Sequence, residues 1–400
     1  MFLTNLSIYN MKKLSFFFLF FFLQIPFISI SQSNFVVTST GTNATIDDAI
    51  DYAVNIWDQY IITTVPVKLH IEYLDLTNQG PLGITLPNGR KDFTSSPQQG
   101  VWYASCLANS LEGAELNIGE ADINVFMNSA NNYYFGTDGN PSFSQYDFIS
   151  VLLHEIAHGL GVVSLSKVVN NEGSFGNLVA SDFAPLTTTF PFPDLEGLPS
   201  VWDNMIINNF GENITDTLIF QNNSAGLKSE FESNELYFTG SISTSLNLGV
   251  NPKVFAPSTY DPGSSLSHID ESAFPASSGN SMMTPFTSNG AANHYPGPLL
   301  LALLQDIGWQ VNATAFINEQ KRQLDLVCYP NPVITDLAIQ IKQPVGKIKF
   351  EIYNQQGQIT ETKEFTANQF SIDMSSYTSG VYFLRISSND MKKVIPITKK

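Results

Sequence analysis

Residues 151–164 read VLLHEIAHGLGVVS. On a helix, positions four apart lie on one face, so His154 and His158 can aim their imidazoles at one cation. Glu155 is turned about 100° from His154, which suits a carboxylate that polarises a metal-bound water rather than one that binds the metal. Zn²⁺ lowers the pKa of such a water to about 7, and a nearby carboxylate can take its proton and hand it to a leaving group. A catalytic zinc normally keeps three protein ligands and one open position. The neutral hydroxyl of Ser164 is a poor candidate for the third. Downstream stand His268 in SSLSHIDESAF, His294 in GAANHYPGP, and the carboxylates of Asp270 and Glu271. Spacing alone leaves all of these open. HExxH is short enough to arise by chance, and two histidines on an ordinary helix is the bland alternative.

The surrounding pattern favours the chemical reading. Ser144-Gln-Tyr-Asp147 has the form of a capping box before an apolar helix that runs to about Gly159. Gly161 can break that helix and let the chain double back. Upstream, Ile46, Ile50, Ala53, Val54 and Trp57 recur at helical spacing, and VPVKLHIEYLDL alternates as a half-buried strand. His70 falls on the polar face of that strand and reads as a surface residue. Gln79 to Gly100 is rich in Gly, Pro and Asn and reads as loop, and ADINVFMNS (121–129) reads as a second strand. Ser164 to Tyr260 has no strong periodicity, yet it is too long for a bare connection and should carry structure of its own. PGPLLLALLQDIGW (296–309) reads as a buried helix with proline at its start. No internal repeats are found.

Four hundred residues suit one large domain plus a smaller one. A net charge of −17 argues against nucleic acid as a partner. Met11-Lys12-Lys13 precedes LSFFFLFFFLQIPFISI and then small polar residues, the make-up of a signal peptide over 1–31, with Met11 an alternative start. Gln24 and Pro26 interrupt the run, which falls short of the roughly 20 apolar residues of a membrane-spanning helix; no stable span is expected. With only Cys106 and Cys328 present, in different expected domains, two unpaired thiols are expected. Structural Ca²⁺ in Asp/Asn/Gly loops such as FGTDGN stays open, without an EF-hand pattern to support it.

Past a polar linker (313–325), residues 326–400 change character. Short alternating strands (LAIQIKQ, KIKFEIYN, YFLRISS) are separated by turn signals, and lysines cluster. This reads as a small all-β sandwich.

Two resemblances follow from ordered motifs. HEIAHGLG, a long insert, SHID, SMMTP and LLLALLQDIGW stand in an order similar to the metzincin zinc endopeptidases. Most of that clan places its third histidine at the position held here by Ser164. The leishmanolysin-like branch instead inserts a segment before it. That resemblance, over roughly 120–310, implies an α+β metzincin-like domain (32–312) with His154, His158 and His268 as zinc ligands and Glu155 as general base. It also implies Met283 or Met282 beneath the metal, a pocket wall after the methionine turn, and an extended peptide substrate paired to strand 121–129. The insert lacks the cysteines of leishmanolysin and differs in size. The second resemblance rests on YPNP, IYNQQG, IDMSSYTSGVYFLRI and the lysine-rich end. These blocks resemble the C-terminal sorting domain of type IX secretion in Bacteroidota, with a carbohydrate-binding module as the bland alternative. It implies passage through the periplasm and outer membrane, the secretion machinery as partner, and a secreted or cell-surface destination. Together the two imply a secreted zinc endopeptidase. A catalytically inactive binding or adhesion protein of the same fold, or a zinc hydrolase of a non-peptide bond, is the alternative.

Overall fold

The chain is described by a computed structural model covering residues 34–77, 80–184, 186, 192–312, 324, 326–342, 346–355, 357–388 and 391–400. The expected signal peptide and nearly all of the expected linker lie outside the described residues. No helix among the described residues is long and apolar enough to cross a membrane.

The chain opens with β1 (Phe35–Thr40), α1 (Ala44–Tyr60), β2 (Ile61–Ile62), β3 (Val67–Leu74) and β4 (Gly83–Pro87). There follow β5 (Gly89–Lys91), β6 (Trp102–Ala104), α2 (Ser105–Glu112), β7 (Ile123–Asn128), β8 (Tyr133–Tyr134), β9 (Tyr146–Asp147) and α3 (Phe148–Gly159). Helix α1 begins where the Asn43 side chain accepts from the amides of Thr45 and Ile46, and the apolar face read from the sequence is buried. The main sheet has the order β1-β3-β7-β4, parallel except for β4, which runs antiparallel to β7.

That order corrects one expectation. Strand 121–129 exists as β7, but it lies between β3 and β4 and has no free edge for a substrate. The edge strand on that side is β4, inside the span read as loop. Hydrogen bonds from Asn128 N to Leu82 O (2.9 Å) and from Asn88 N to Asp122 O (2.8 Å) bracket the β4–β7 ladder. Leu82, Ile84 and Leu86 therefore bond to β7, while Gly83, Thr85 and Pro87 turn their backbone groups to the open side.

Helix α3 also starts later than the capping box suggests. The chain stays extended through Asp147 because β9 pairs in parallel with β8, and Asp147 itself caps the helix, accepting from Ser150 N at 2.8 Å. Ser144 Oγ turns to Ser142 instead. The helix is apolar nearly all round, as befits a central element. At Gly159 a Cβ would sit 2.3 Å from Ile123 of β7, so glycine lets the last turn lie against the sheet.

The segment after Ser164 does carry structure. It contains β10 (Ser166–Val169), β11 (Glu172–Phe175), β12 (Ile206–Asn208), α4 (Ala225–Phe231), β13 (Leu236–Phe238), α5 (Ser241–Leu246) and β14 (Lys253–Val254). β10 and β11 form a hairpin and β12-β13-β14 a small sheet, around fully buried Trp202, Phe231 and Phe238. The buried helix α6 (Pro298–Ile307) follows, with Pro298 in its first turn, and then β15 (Gln310–Val311), which pairs with β2.

The C-terminal part is all β. Strands β16 (Leu326–Tyr329), β17 (Asp336–Ile341) and β20 (Gln369–Asp373) form one sheet. Strands β18 (Ile348–Tyr353), β19 (Ile359–Phe365), β21 (Gly380–Ser388) and β22 (Met391–Lys399) form another. Leu337, Ile339, Phe350, Ile352, Leu384 and Ile386 from both sheets share a core separate from the first. The chain is thus mixed α and β, with most of its strands in small sheets. Cys106 and Cys328 are both free.

Candidate metal centre

Two separate parts of the chain bring three imidazoles together. His154 and His158 project from α3, and His268 comes from the loop after β14. Their Nε2 atoms lie 3.1, 3.1 and 3.2 Å apart. Each Nδ1 donates to a backbone carbonyl: His154 to Met282 (2.6 Å), His158 to Val162 (2.6 Å) and His268 to Ser264 (2.7 Å). With the proton held on Nδ1, every Nε2 presents a lone pair to the same point. With each ring proton on Nδ1, these contacts are not hydrogen bonds between neutral rings. Four-coordinate zinc with bonds of 2.0–2.1 Å would set its nitrogens about 3.3 Å apart, so the donor set fits that ion. Burial lowers all three imidazoles below their ordinary range. It takes His158, beside His154, down to about 3, and His268 well down with its two neighbours adding to the effect. Neutral imidazoles are the form that ligation requires.

The third arm is held from several sides. Trp202 Nε1 donates to Leu266 O at 2.7 Å, securing a residue with φ of +65°. Phe255 N donates to His268 O (2.8 Å) and Leu266 N to Phe255 O (2.9 Å). Ile269 N reaches Met283 O (2.9 Å), tying this loop to the turn Ser281–Thr284, which Thr284 N closes onto Ser281 O at 3.1 Å. Met283 is fully buried in that turn, and its neighbour Met282 supplies the carbonyl that orients His154. Indoles also pin α3: Trp57 Nε1 donates to Leu153 O (3.2 Å) and Trp309 Nε1 to Leu160 O (2.7 Å).

Ser164 is a strut. Its amide donates to Ser267 Oγ at 3.0 Å, one residue from His268, and its hydroxyl accepts from Ser166 N at 3.1 Å. The next residue is anchored by buried Asp203, whose Oδ2 accepts from Leu165 N, Ser200 N and Ser200 Oγ at 2.9–3.0 Å. Burial pushes the Asp203 carboxyl up to about 6, against these hydrogen bonds. A folded pKa above the unfolded 3.8 contributes stability that is complete below pH 3.8 and lost as pH rises through 6. Metal-free wild-type chain should therefore lose about 1 kcal/mol relative to the Asp203→Asn variant between pH 5 and pH 8. Urea unfolding at the two pH values measures this, and a constant difference would refute it.

Glu155 lies in the same cleft, its side chain almost fully buried. Thr85 Oγ1 of β4 is 2.7 Å from Glu155 Oε2 and 2.9 Å from Glu155 O. Burial raises this carboxyl to about 7 and the Thr85 bond opposes the rise. A cation among the imidazoles would pull it down again.

The remaining sequence candidates are placed elsewhere. His294 Nε2 bonds to Asp147 Oδ1 at 2.7 Å, at the start of α3, and lines the cleft without joining the triad. Asp270 accepts from the amides of Ser272 and Ala273, and Glu271 is exposed. His70 bonds to Thr38 on the main sheet. Among the described residues the three histidines are the one group of three or more metal-capable side chains brought together. Asp138 of FGTDGN directs its carboxylate to Tyr134 and Asn140. Sequence reading missed Thr85 and Asp203, whose parts depend on contacts across 70 and 38 positions.

Comparison with known proteins separates the two ends of the chain. The family model described as secretion system C-terminal sorting domain matches residues 327–399. A second, described as SPBPB7E8-like, matches residues 112–190, which include α3. No curated protein matches. Among solved structures, a DUF3244 family protein with an immunoglobulin-like β-sandwich fold from Bacteroides vulgatus is 14% identical. The match covers 19% of this chain and 96% of that one, with a TM-score of 0.16. Domains d3–d4 of rat CD45 match at 11% identity over 19% and 48% of the two chains (TM-score 0.16). Dimeric latent PorU from Porphyromonas gingivalis matches at 19% identity over 19% and 9% (TM-score 0.15). The C-terminal part is therefore a sorting domain of type IX secretion, and the chain is exported to the cell surface or beyond it.

Proposed function

We infer that this exported chain is a zinc-dependent endopeptidase with a metzincin-like catalytic domain. The observation that supports the reading best is the meeting of three Nε2 lone pairs, each with its tautomer fixed by a backbone carbonyl, beside the buried carboxylate of Glu155. A structural site would use a fourth protein ligand and has no need of a neighbouring base. Support also comes from the order of elements, in which the HExxH helix, the distant histidine and the methionine turn resemble the metzincins.

His154, His158 and His268 would hold the ion. Zinc, when bound, supplies a Lewis acid and a water of near-neutral pKa. Glu155 takes a proton from the attacking water and returns it to the departing amine. The open side of β4, with the backbone groups of Gly83 and Thr85 facing out, offers an extended peptide a strand to pair with. Pro87 offers a carbonyl but no N–H, which limits that pairing at one end.

The test is metal removal from the full chain. Purified protein should carry about one zinc and cleave an unfolded protein such as casein. 1,10-Phenanthroline should abolish cleavage, and stoichiometric Zn²⁺ should restore it. Cleavage that survives complete removal of zinc, or a zinc-loaded chain that leaves casein intact, would overturn the reading.

A further inference from the structure

β4 does two things with the same two residues. Gly83 and Thr85 turn their backbone groups to the open edge of the sheet, and their other side faces Glu155. A Cβ on Gly83 would stand 2.7–2.8 Å from Glu155 Cγ, Cδ and Oε1, so the glutamate side chain occupies the space this glycine leaves. Two positions on, Thr85 Oγ1 meets Oε2 at 2.7 Å. Among the described residues no hydrogen bond from the protein is formed with Oε1. One carboxylate oxygen is thus tied to β4 by a hydrogen bond and the other is not.

The geometry points to Thr85 as the positioning residue of Glu155. Its hydroxyl proton fixes Oε2 and sets the plane of the carboxylate, leaving Oε1 as the oxygen that takes up and returns the proton. The hydroxyl has one proton and two acceptors in reach, Oε2 and the Glu155 carbonyl at 2.9 Å. Because Thr85 is also part of the edge strand, any shift of that strand on pairing with a peptide moves the anchor of the base. The role rests on the peptidase reading above; the contact does not.

The experiment compares Thr85→Val and Thr85→Ser in the full, zinc-loaded chain. Valine keeps the shape and removes the proton donor. Its kcat should fall about 10- to 100-fold, the effect of losing a hydrogen bond to a charged group. KM should stay within about twofold and zinc content should not change. Serine should recover kcat to within about threefold. A merely structural threonine would move KM, zinc content or stability instead, so a wild-type kcat in Thr85→Val overturns the role. A second measurement needs no activity: thermal unfolding of metal-free Thr85→Val, Glu155→Ala and the double variant. A double shift smaller than the sum supports the contact, and strict additivity overturns it. If the wild-type chain hydrolyses no peptide bond, the peptidase reading and the catalytic role fall together, while the metal-free cycle still decides the contact.

Discussion

Replacing Glu155 by glutamine should lower proteolysis by about 10²–10⁴-fold, the usual weight of a positioned acid–base group, with zinc content unchanged. Glutamine has the same size and keeps an oxygen to accept from Thr85, so the anchor on β4 survives the change. It cannot take up a proton at neutral pH. Glu155 is not among the converging ligands, hence the ion has no reason to leave. The measurement is kcat/KM on a fluorogenic peptide together with metal analysis of the same sample. Activity within about tenfold of wild type would remove Glu155 from the mechanism. Loss of zinc would make it part of the binding shell instead.

What could be read from the chain in advance divides along physical lines. That His154 and His158 share a face was legible because positions four apart on one helix are fixed by a 3.6-residue period. That His268 joins them was legible only through the order of motifs, since nothing in 110 residues of separation encodes proximity. The loop that delivers it is assembled by Trp202, Phe255, Met283 and Ser164, each distant in sequence. Residues 83–87 hid their strand for a related reason. GITLP has a glycine and a proline in five positions and Gly, Pro and Asn on both sides, which are loop signals by local rules. Its strand character comes from the ladder with β7, and its glycine is there to clear Glu155. The helix cap shifted by three residues because the two-residue pairing of β8 with β9 outweighed a local capping pattern. In the C-terminal part β17, β18 and β21 were visible as alternating strands, whereas β16, β19, β20 and β22 were not named. ITETKEF lies mostly exposed, so it shows no apolar face to find.

His268 carries the other large effect, and His294 is its natural control. Both are loop histidines beyond α3, and spacing alone did not choose between them. In the folded chain His268 Nε2 is 3.1–3.2 Å from its two partners, whereas His294 Nε2 is spent on Asp147. Removing a group that merely orients a metal ligand typically costs 10–100-fold in affinity. Removing a ligand should cost more, so His268→Ala should weaken zinc binding by at least about 10²-fold and abolish proteolysis. His294→Ala takes away a partner of the residue that caps α3. It should lower thermal stability while zinc affinity stays within about threefold. Competition with a chromophoric chelator measures both affinities on the full chain. The reverse ranking would place the third ligand at 294. It would also leave unexplained why Ser164, Trp202 and Met283 all hold the 264–269 segment in place. A loop fastened at that many points, with a buried imidazole turned inward, would lose little entropy on binding an ion, and Ser164 contributes to that preorganisation as a strut.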